Sequence, residues 1–332
     1  MGRAAVNALV RWFAPVLPES RVAILRTVLY AFVLLDIHLF VRDPIPLSRH
    51  PELYSPLLLA RVLHLPPPSV PLTVTLYVIL LIGCGVAAAN RLPRLAGFVV
   101  AAAFTWWTAI GMSYGKVDHD HMALVVALWV LPTVGVIAGR WRAEQASAQA
   151  GWALRCIQIG VVFTYFLSAL TKIRSGGWSL TSWPESSILL WAIIRRPNGL
   201  GQFLIPYPEL LRVMQWFAFV AELTSVVVLW LRGRALLLAA LFWMGFHVFT
   251  VTILYIHFAP TAICWLAFAP LERFGPWLRR VVARRREGAG RRAARQPGTV
   301  ASDQPVHRRR QRAHARQVHR PADDRVRAAP EP

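Results

Sequence analysis

Apolar runs of about 20 residues recur along the chain and constrain its fold more than any other feature. As an α-helix, a run of this length crosses the hydrocarbon core of a bilayer, which is about 30 Å thick. The runs lie at residues 22–41, 70–89, 95–112, 122–138, 152–170, 211–231, 235–255 and 258–271. Pro260 interrupts the stretch that holds the last two, which also fits one long kinked helix with a re-entrant end. The sequence therefore predicts an all-α integral membrane protein with a bundle of about eight transmembrane helices.

The composition and charge argue against a soluble nucleic-acid-binding protein. Hydrophobic residues make up 56% of the chain, and the mean hydropathy is +0.44. The net charge is +21, but about half of it lies from Arg279 onward, where 16 arginines accompany five acidic residues. That segment is rich in Gly, Pro and Ala and carries no interleaved aromatic residues. We therefore predict a disordered tail that is attracted to anionic lipids, and we expect no nucleic-acid partner.

Arginine pairs in alternate short loops predict the orientation of the helices. They are Arg91 with Arg94, Arg140 with Arg142, and Arg232 with Arg234. Positive loops stay in the cytoplasm, so both termini are predicted there, which requires an even number of spans. The high usage of Arg, Ala, Leu and Val is typical of a GC-rich bacterium, so we expect a multi-pass protein of the plasma (inner) membrane.

The chain is accordingly divided into three parts. Residues 1–21 are predicted to be a cytoplasmic lead-in at the membrane interface, because their apolar stretch is too broken for a signal peptide. Residues 22–274 form the transmembrane helical domain. Residues 275–332 form the disordered Arg-rich cytoplasmic tail.

Unusual polar residues gather on the predicted exoplasmic side. Asp36 and His38 lie near the end of the first span, the string 116–121 (Lys-Val-Asp-His-Asp-His) precedes the fourth, and Lys172 follows the fifth. Two long connections, 42–69 and 172–209, lie on the same side. Within the second, residues 186–194 are apolar enough to lie on the membrane or dip into it.

Lys172 has two interpretations. A lysine at the end of a span is commonly an anchor whose ammonium group reaches the aqueous interface. A lysine held in apolar surroundings instead has a lowered pKa, and its free amine can act as a base.

The string Asp118-His119-Asp120-His121 invites three interpretations. A metal site is disfavoured, because His119 and His121 point about 200° apart on a helix, and no metal is predicted. A polar helix entry with Asp118 as N-cap is the simplest interpretation. In the third, His119 is an acid/base group oriented by a neighbouring aspartate, with Asp118 and His121 as supporting residues.

Glu222 and His247 lie in the middle of predicted spans, where ionisable groups usually face the bundle interior. We expect a structural pair, formed with each other or with Thr224. Several aromatic residues are either interface anchors or the walls of a site for a flat ring. They are Trp106, Trp107, Tyr114, Trp216 and Trp243.

Four groups of residues resemble the horizontally transferred transmembrane domain family, which includes the membrane domain of vitamin K-dependent gamma-carboxylase. They are Arg26 with Asp36-Ile37, Asp118-His119, Tyr165-Phe166 through Lys172 and Trp178, and Phe246-His247 with Phe258. The resemblance covers residues 22–274. It implies that Lys172 takes a proton from reduced vitamin K or menaquinol and that His119 is the active-site histidine. Oxygen then converts the quinol into a strong base that removes a proton from a glutamate, to which carbon dioxide adds.

The resemblance implies a quinol-dependent, carboxylase- or epoxidase-like lyase activity on the exoplasmic face. Asp36, Asp118, His121, Glu222 and His247 form a second tier of site residues. The family's extramembrane domain has no counterpart after residue 274, so we expect a secreted peptide or a separate extramembrane subunit as partner. The alternative is a non-enzymatic membrane protein that assists export, maturation or immunity for a secreted peptide. A solute transporter ranks lowest, because the sequence shows no internal repeat.

Overall fold

The computed structural model describes residues 3–196 and 199–274, and this part of the protein is mostly helical. The predicted tail, residues 275–332, lies outside the described residues. In chain order the helices are α1 (Arg3–Phe13), α2 (Glu19–Leu39), α3 (Pro44–Leu47), α4 (Leu58–Val62), α5 (Val70–Ala88), α6 (Pro93–Met112), α7 (Met122–Val130), α8 (Ala148–Ser175), α9 (Ile188–Arg195), α10 (Gly199–Gln202), α11 (Pro208–Thr224), α12 (Gly233–Leu254) and α13 (Ala259–Cys264). Two short strands, β1 (Leu17–Pro18) and β2 (Ala146–Ser147), pair antiparallel.

Six of these helices are long and apolar enough to cross a membrane: α2, α5, α6, α8, α11 with the turn after it, and α12. Each coincides with a predicted span, and their bounds differ from the prediction by a few residues. The largest difference is in α8, which begins at Ala148 and continues to Ser175. Lys172 therefore lies inside this helix, in its last turn.

The other two predicted spans, 122–138 and 258–271, are shorter apolar helices of 10–17 residues with their flanking turns. Pro132 lies in the 3-10 turn that ends α7, and Pro260 starts α13. Both helices pack inside the bundle, where a short or irregular segment is tolerated because protein surrounds it. The described residues thus contain six full-length helices, and the number eight stays a prediction.

The arginine-bearing loops gather at one end of the bundle. Arg26 of α2 donates hydrogen bonds to Asn90 Oδ1 (2.9 Å), the Gly135 carbonyl (2.9 Å) and the Leu131 carbonyl (3.0 Å). Gly135 has φ +76°, so the backbone there needs a glycine to present this carbonyl. At the same end, Arg21 forms an ion pair with Glu272 at 2.7 Å.

Helix α1 lies at this end too. Its Trp12 ring stacks on Trp230 (5.7 Å between centroids) and lies under the Arg155 guanidinium (4.6 Å). Val10 and Phe13 of α1 stay exposed. An amphipathic helix of this kind fits the interface-lying lead-in that the sequence predicts.

Arg26 is buried, and its three hydrogen bonds go to uncharged oxygens of neighbouring segments. We expect Arg26→Ala to lower the free energy of unfolding by about 3 kcal/mol or more, because bonds to a charged donor contribute about 1.5–3 kcal/mol each. Arg91→Ala, at an exposed loop position, is the control and should change little. Equal stability of the two variants, measured by denaturant titration in mixed micelles, would contradict this role.

Candidate functional site

Lys172 is held inside the bundle by a carboxylate and an indole ring. Its ammonium forms an ion pair with Glu222 of α11, and their side chains are only 18% and 9% exposed. The same nitrogen lies 4.2 Å from the centre of the Trp183 ring, which adds a cation–π contact. The side chain is therefore not a free anchor that reaches into water. Lys172 and Glu222 are thus a neighbouring amine and carboxylate, two groups between which a proton can be exchanged.

Gln215 fixes the segment that carries Trp183. This buried side chain accepts a hydrogen bond from the Leu189 amide (2.9 Å) and donates to the carbonyls of Trp183 and of Ser186 (2.9 Å). The sequence predictions missed Gln215. The signal available was the only amide side chain in a predominantly apolar span, where such a group is costly unless it is hydrogen-bonded.

His121, rather than His119, is the histidine oriented by aspartates. Its Nε2 lies 3.2 Å from Asp36 Oδ2, and its Nδ1 lies 3.1 Å from Asp120 Oδ1. All three side chains are buried, and Thr261 Oγ1 donates to the Asp120 carbonyl at 2.7 Å. The expectation that a neighbouring aspartate orients His119 was wrong, because the 3-10 turn His119–His121 rotates His121 into the bundle, toward α2.

The two carboxylates favour a protonated His121. Burial by itself disfavours the charged imidazole, but the hydrogen bonds that its N–H groups donate to the Asp120 and Asp36 carboxylates outweigh burial and raise the pKa of His121 to about 10. The pKa of Asp120 is lowered, since its contacts with His121 outweigh the cost of burial. This group therefore forms a rigid ionic link between α2 and the turn before α7.

The raised pKa of His121 predicts a pH-dependent stability. The link contributes fully below the ordinary value of 6.5, and its contribution is lost as the pH rises to about 10. We expect the unfolding free energy of the wild type to fall between about pH 7 and pH 10. His121→Gln should be less stable at neutral pH and should show a weaker dependence. His50→Gln, at an exposed histidine, is the control. Unfolding titrations that give wild type and His121→Gln the same pH dependence would rule out the link.

His119 instead lines a cavity of about 130 Å³ at the end of the bundle opposite the arginine loops. Burial lowers the pKa of His119, so its imidazole is neutral near pH 7. Its ring lies 5.9 Å from that of Phe258. Further residues of both charges complete the lining. They are Phe40, Lys116, Asp118, Asp120, Arg196, Tyr255, Ile256 and His257.

Asp118 does not cap the turn that follows it. It occupies the N-cap position, but its side chain accepts no hydrogen bond from that turn. Its carboxylate instead lies 3.2 Å from the Lys116 ammonium at the rim of the cavity. The N-cap interpretation was therefore wrong.

His247 pairs with Tyr165, not with Glu222 or Thr224. The Tyr165 hydroxyl lies 2.7 Å from His247 Nε2 and accepts a hydrogen bond from Trp265 Nε1 at 2.8 Å. Thr224 donates to the Val220 carbonyl of its own helix. The predicted Glu222–His247 pair does not form, because Glu222 on α11 pairs with Lys172 on α8 instead.

The predicted aromatic walls have more local roles. Trp243 stacks on Tyr165 with 3.8 Å between centroids, and Trp216 donates to Glu185 at 2.7 Å. Trp107 and Tyr114 contact Tyr77 and Tyr54, respectively. Tyr165 therefore covers one face of the Trp243 ring, and that face is not open to a ligand.

The seven predicted site residues lie in four separate groups. Lys172 pairs with Glu222, His121 with Asp36, and His247 with Tyr165, while His119 and Asp118 line the cavity. Phe258 links two of these groups, because it contacts the rings of both His119 and His247. No family model, curated protein or solved structure matches this chain, so no role is transferred from a relative.

Proposed function

We propose that this protein is a membrane-embedded enzyme that performs quinol-linked base chemistry, with Lys172 as the base. The observation that carries the proposal is the mostly buried Lys172 ammonium, paired with Glu222 and covered by Trp183. An anchoring lysine needs none of these contacts. Charged pairs inside a membrane bundle are costly and are usually retained for function.

The surroundings of the pair suit a lipid-soluble ring. Helices α11 and α12 carry large exposed apolar side chains along their outer faces, among them Val213, Phe217, Leu237 and Leu241. Such faces are covered by lipid in a bilayer, so a quinol dissolved in the membrane would approach between helices. This fits a reduced vitamin K or menaquinol as the cofactor.

Each residue has a distinct part in this proposal. Neutral Lys172 accepts a proton from a hydroxyl group of the cofactor, and Glu222 holds the proton that Lys172 gives up beforehand. When bound, the quinol would supply its reaction with oxygen, which is the driving force for the overall chemistry. Neutral His119, at the cavity, exchanges a proton with a second reactant that enters there. Asp36 and His121 hold the turn that carries His119.

The orientation of the helices in the membrane decides which partners could reach the cavity and the tail. Eight crossings with both termini in the cytoplasm would put the cavity on the exoplasmic side of a bacterial inner membrane. The gathering of the arginine loops with Arg21 and Glu272 at the opposite end supports this arrangement. The cavity would then admit a secreted peptide or face a separate extramembrane subunit, and the Arg-rich tail would meet anionic lipids.

The test uses the purified full chain in lipid nanodiscs. Menaquinol and vitamin K hydroquinone are added without oxygen to measure binding by quenching of tryptophan fluorescence, and oxygen is then admitted. We expect saturable binding and oxygen-dependent formation of the quinone epoxide.

Absence of both binding and turnover would contradict the proposal. The alternative, a non-enzymatic role in export, maturation or immunity, makes the opposite prediction in cells. There, Lys172→Ala would leave function intact, whereas changes in residues 42–69 or 178–208 would abolish it.

A further inference from the structure

His247 is more than nine-tenths buried, yet one of its ring nitrogens has no partner. Its relative exposure is 6%, and Nδ1 makes no hydrogen bond within the described residues. A buried polar atom without a partner costs about 1–3 kcal/mol. Such an atom in a bundle interior requires an explanation, and one explanation is a hydrogen-bond partner that is not among the described residues.

The contacts of Tyr165 decide which kind of partner fits. An indole N–H only donates, so the Tyr165 oxygen accepts from Trp265. The Tyr165 hydroxyl hydrogen then has His247 Nε2 as its acceptor, at 2.7 Å. A neutral imidazole that accepts at Nε2 carries its hydrogen on Nδ1. The open position of His247 is therefore a hydrogen-bond donor.

The position of this donor relative to Lys172 also matters. Tyr165 and Lys172 are seven residues apart on α8, so they lie on one face, two turns or about 10 Å apart along the axis. Lys172 marks one end of this face, and the Tyr165–His247 pair marks the other. A flat ring with oxygens at opposite ends, hydrogen-bonded at each end, has a comparable length.

We infer that His247 Nδ1–H is the hydrogen-bond donor to an oxygen atom of a lipid-soluble quinone or quinol, at the end of the ring opposite Lys172. This inference rests on the proposed function and extends it to a binding residue. Phe258 contacts the His247 ring and also lines the cavity beside His119. Phe258 therefore lies between the His247 ring and the cavity lining.

Two variants separate ligand binding from a purely structural role of His247. In His247→Gln the amide oxygen can still accept from Tyr165, but no donor remains at the Nδ1 position. In His247→Asn the shorter amide supplies a donor near the Nδ1 position and loses the bond to Tyr165. A structural role predicts that His247→Asn is the damaged variant, whereas a ligand role predicts that His247→Gln is.

The readout is the infrared difference spectrum of phylloquinone, labelled isotopically at both carbonyl carbons, bound to each protein in nanodiscs. We expect one carbonyl band of the wild type and of His247→Asn to shift to lower frequency, and this shift to vanish in His247→Gln. The affinity of His247→Gln should fall about tenfold or more, as expected for one lost hydrogen bond. Thermal unfolding of each variant shows that it is folded.

Two results would overturn the inference, and they differ in what else they remove. Unchanged bands and affinity in His247→Gln, with quinone bound to the wild type, would remove only the role of His247. In that case an internal water would be the hydrogen-bond partner of His247 Nδ1. Failure of the wild type to bind phylloquinone or its quinol would remove the proposed function as well.

Discussion

Lys172→Met is expected to reduce quinol oxidation by about 10²–10⁴-fold, the usual contribution of a general base. Lys172→Arg should be nearly as inactive, although arginine keeps the positive charge and can still pair with Glu222. The reason is that a guanidinium cannot lose its proton in a protein, so it offers no base. The measurement is the initial rate of epoxide formation in nanodiscs at saturating quinol.

Arg174→Met is the matched control for this prediction. Arg174 lies in the same last turn of α8, but it is exposed. Its variant should keep the wild-type rate. A Lys172→Arg variant with wild-type activity would show that Lys172 acts through its charge alone, which would remove its role as base.

Glu222→Leu is expected to lower the free energy of unfolding by about 3–5 kcal/mol, because it leaves the Lys172 ammonium buried without its carboxylate. The double variant Lys172→Met with Glu222→Leu should recover most of this loss, since an apolar pair of similar volume replaces the ionic one. It should nevertheless stay inactive. Stability and catalysis would then be separated at the same two positions.

Glu209→Leu tests the specificity of this effect on the same helix. Glu209 pairs with Arg212 at 3.1 Å, but both side chains are well exposed, so the change should matter little. The four proteins of the double-mutant cycle are compared by denaturant titration in mixed micelles. A Glu222→Leu protein as stable as the wild type would show that the ion pair contributes nothing to the fold.

The sequence was sufficient for the long helices because each contains an apolar run about as long as a bilayer is thick. It was less informative for α7 and α13. Their apolar runs are of similar composition, but Pro132 and Pro260 shorten the helices, and packing inside the bundle makes short helices acceptable. Hydropathy reports how apolar a segment is, and it does not distinguish contact with lipid from contact with protein.

The site was predictable as a set of residues but not as a set of pairs. Lys172, Glu222 and His247 stand out because ionisable groups in apolar runs are expensive. Which of them meet depends on how α8 faces α11 and α12, and the sequence does not specify these rotations. The exchange of roles between His119 and His121 has a similar cause, because one turn of 3-10 geometry decides which ring enters the bundle.

The central claim is that Lys172 enables a quinol in the membrane to react with oxygen. The most direct measurement supplies isotopically heavy oxygen gas to wild-type and Lys172→Met protein in nanodiscs that contain vitamin K hydroquinone. Mass spectrometry then detects the label in the quinone product. We predict labelled epoxide from the wild type and none above background from Lys172→Met. Equal labelling in both proteins, or no labelled product from the wild type, would contradict the claim.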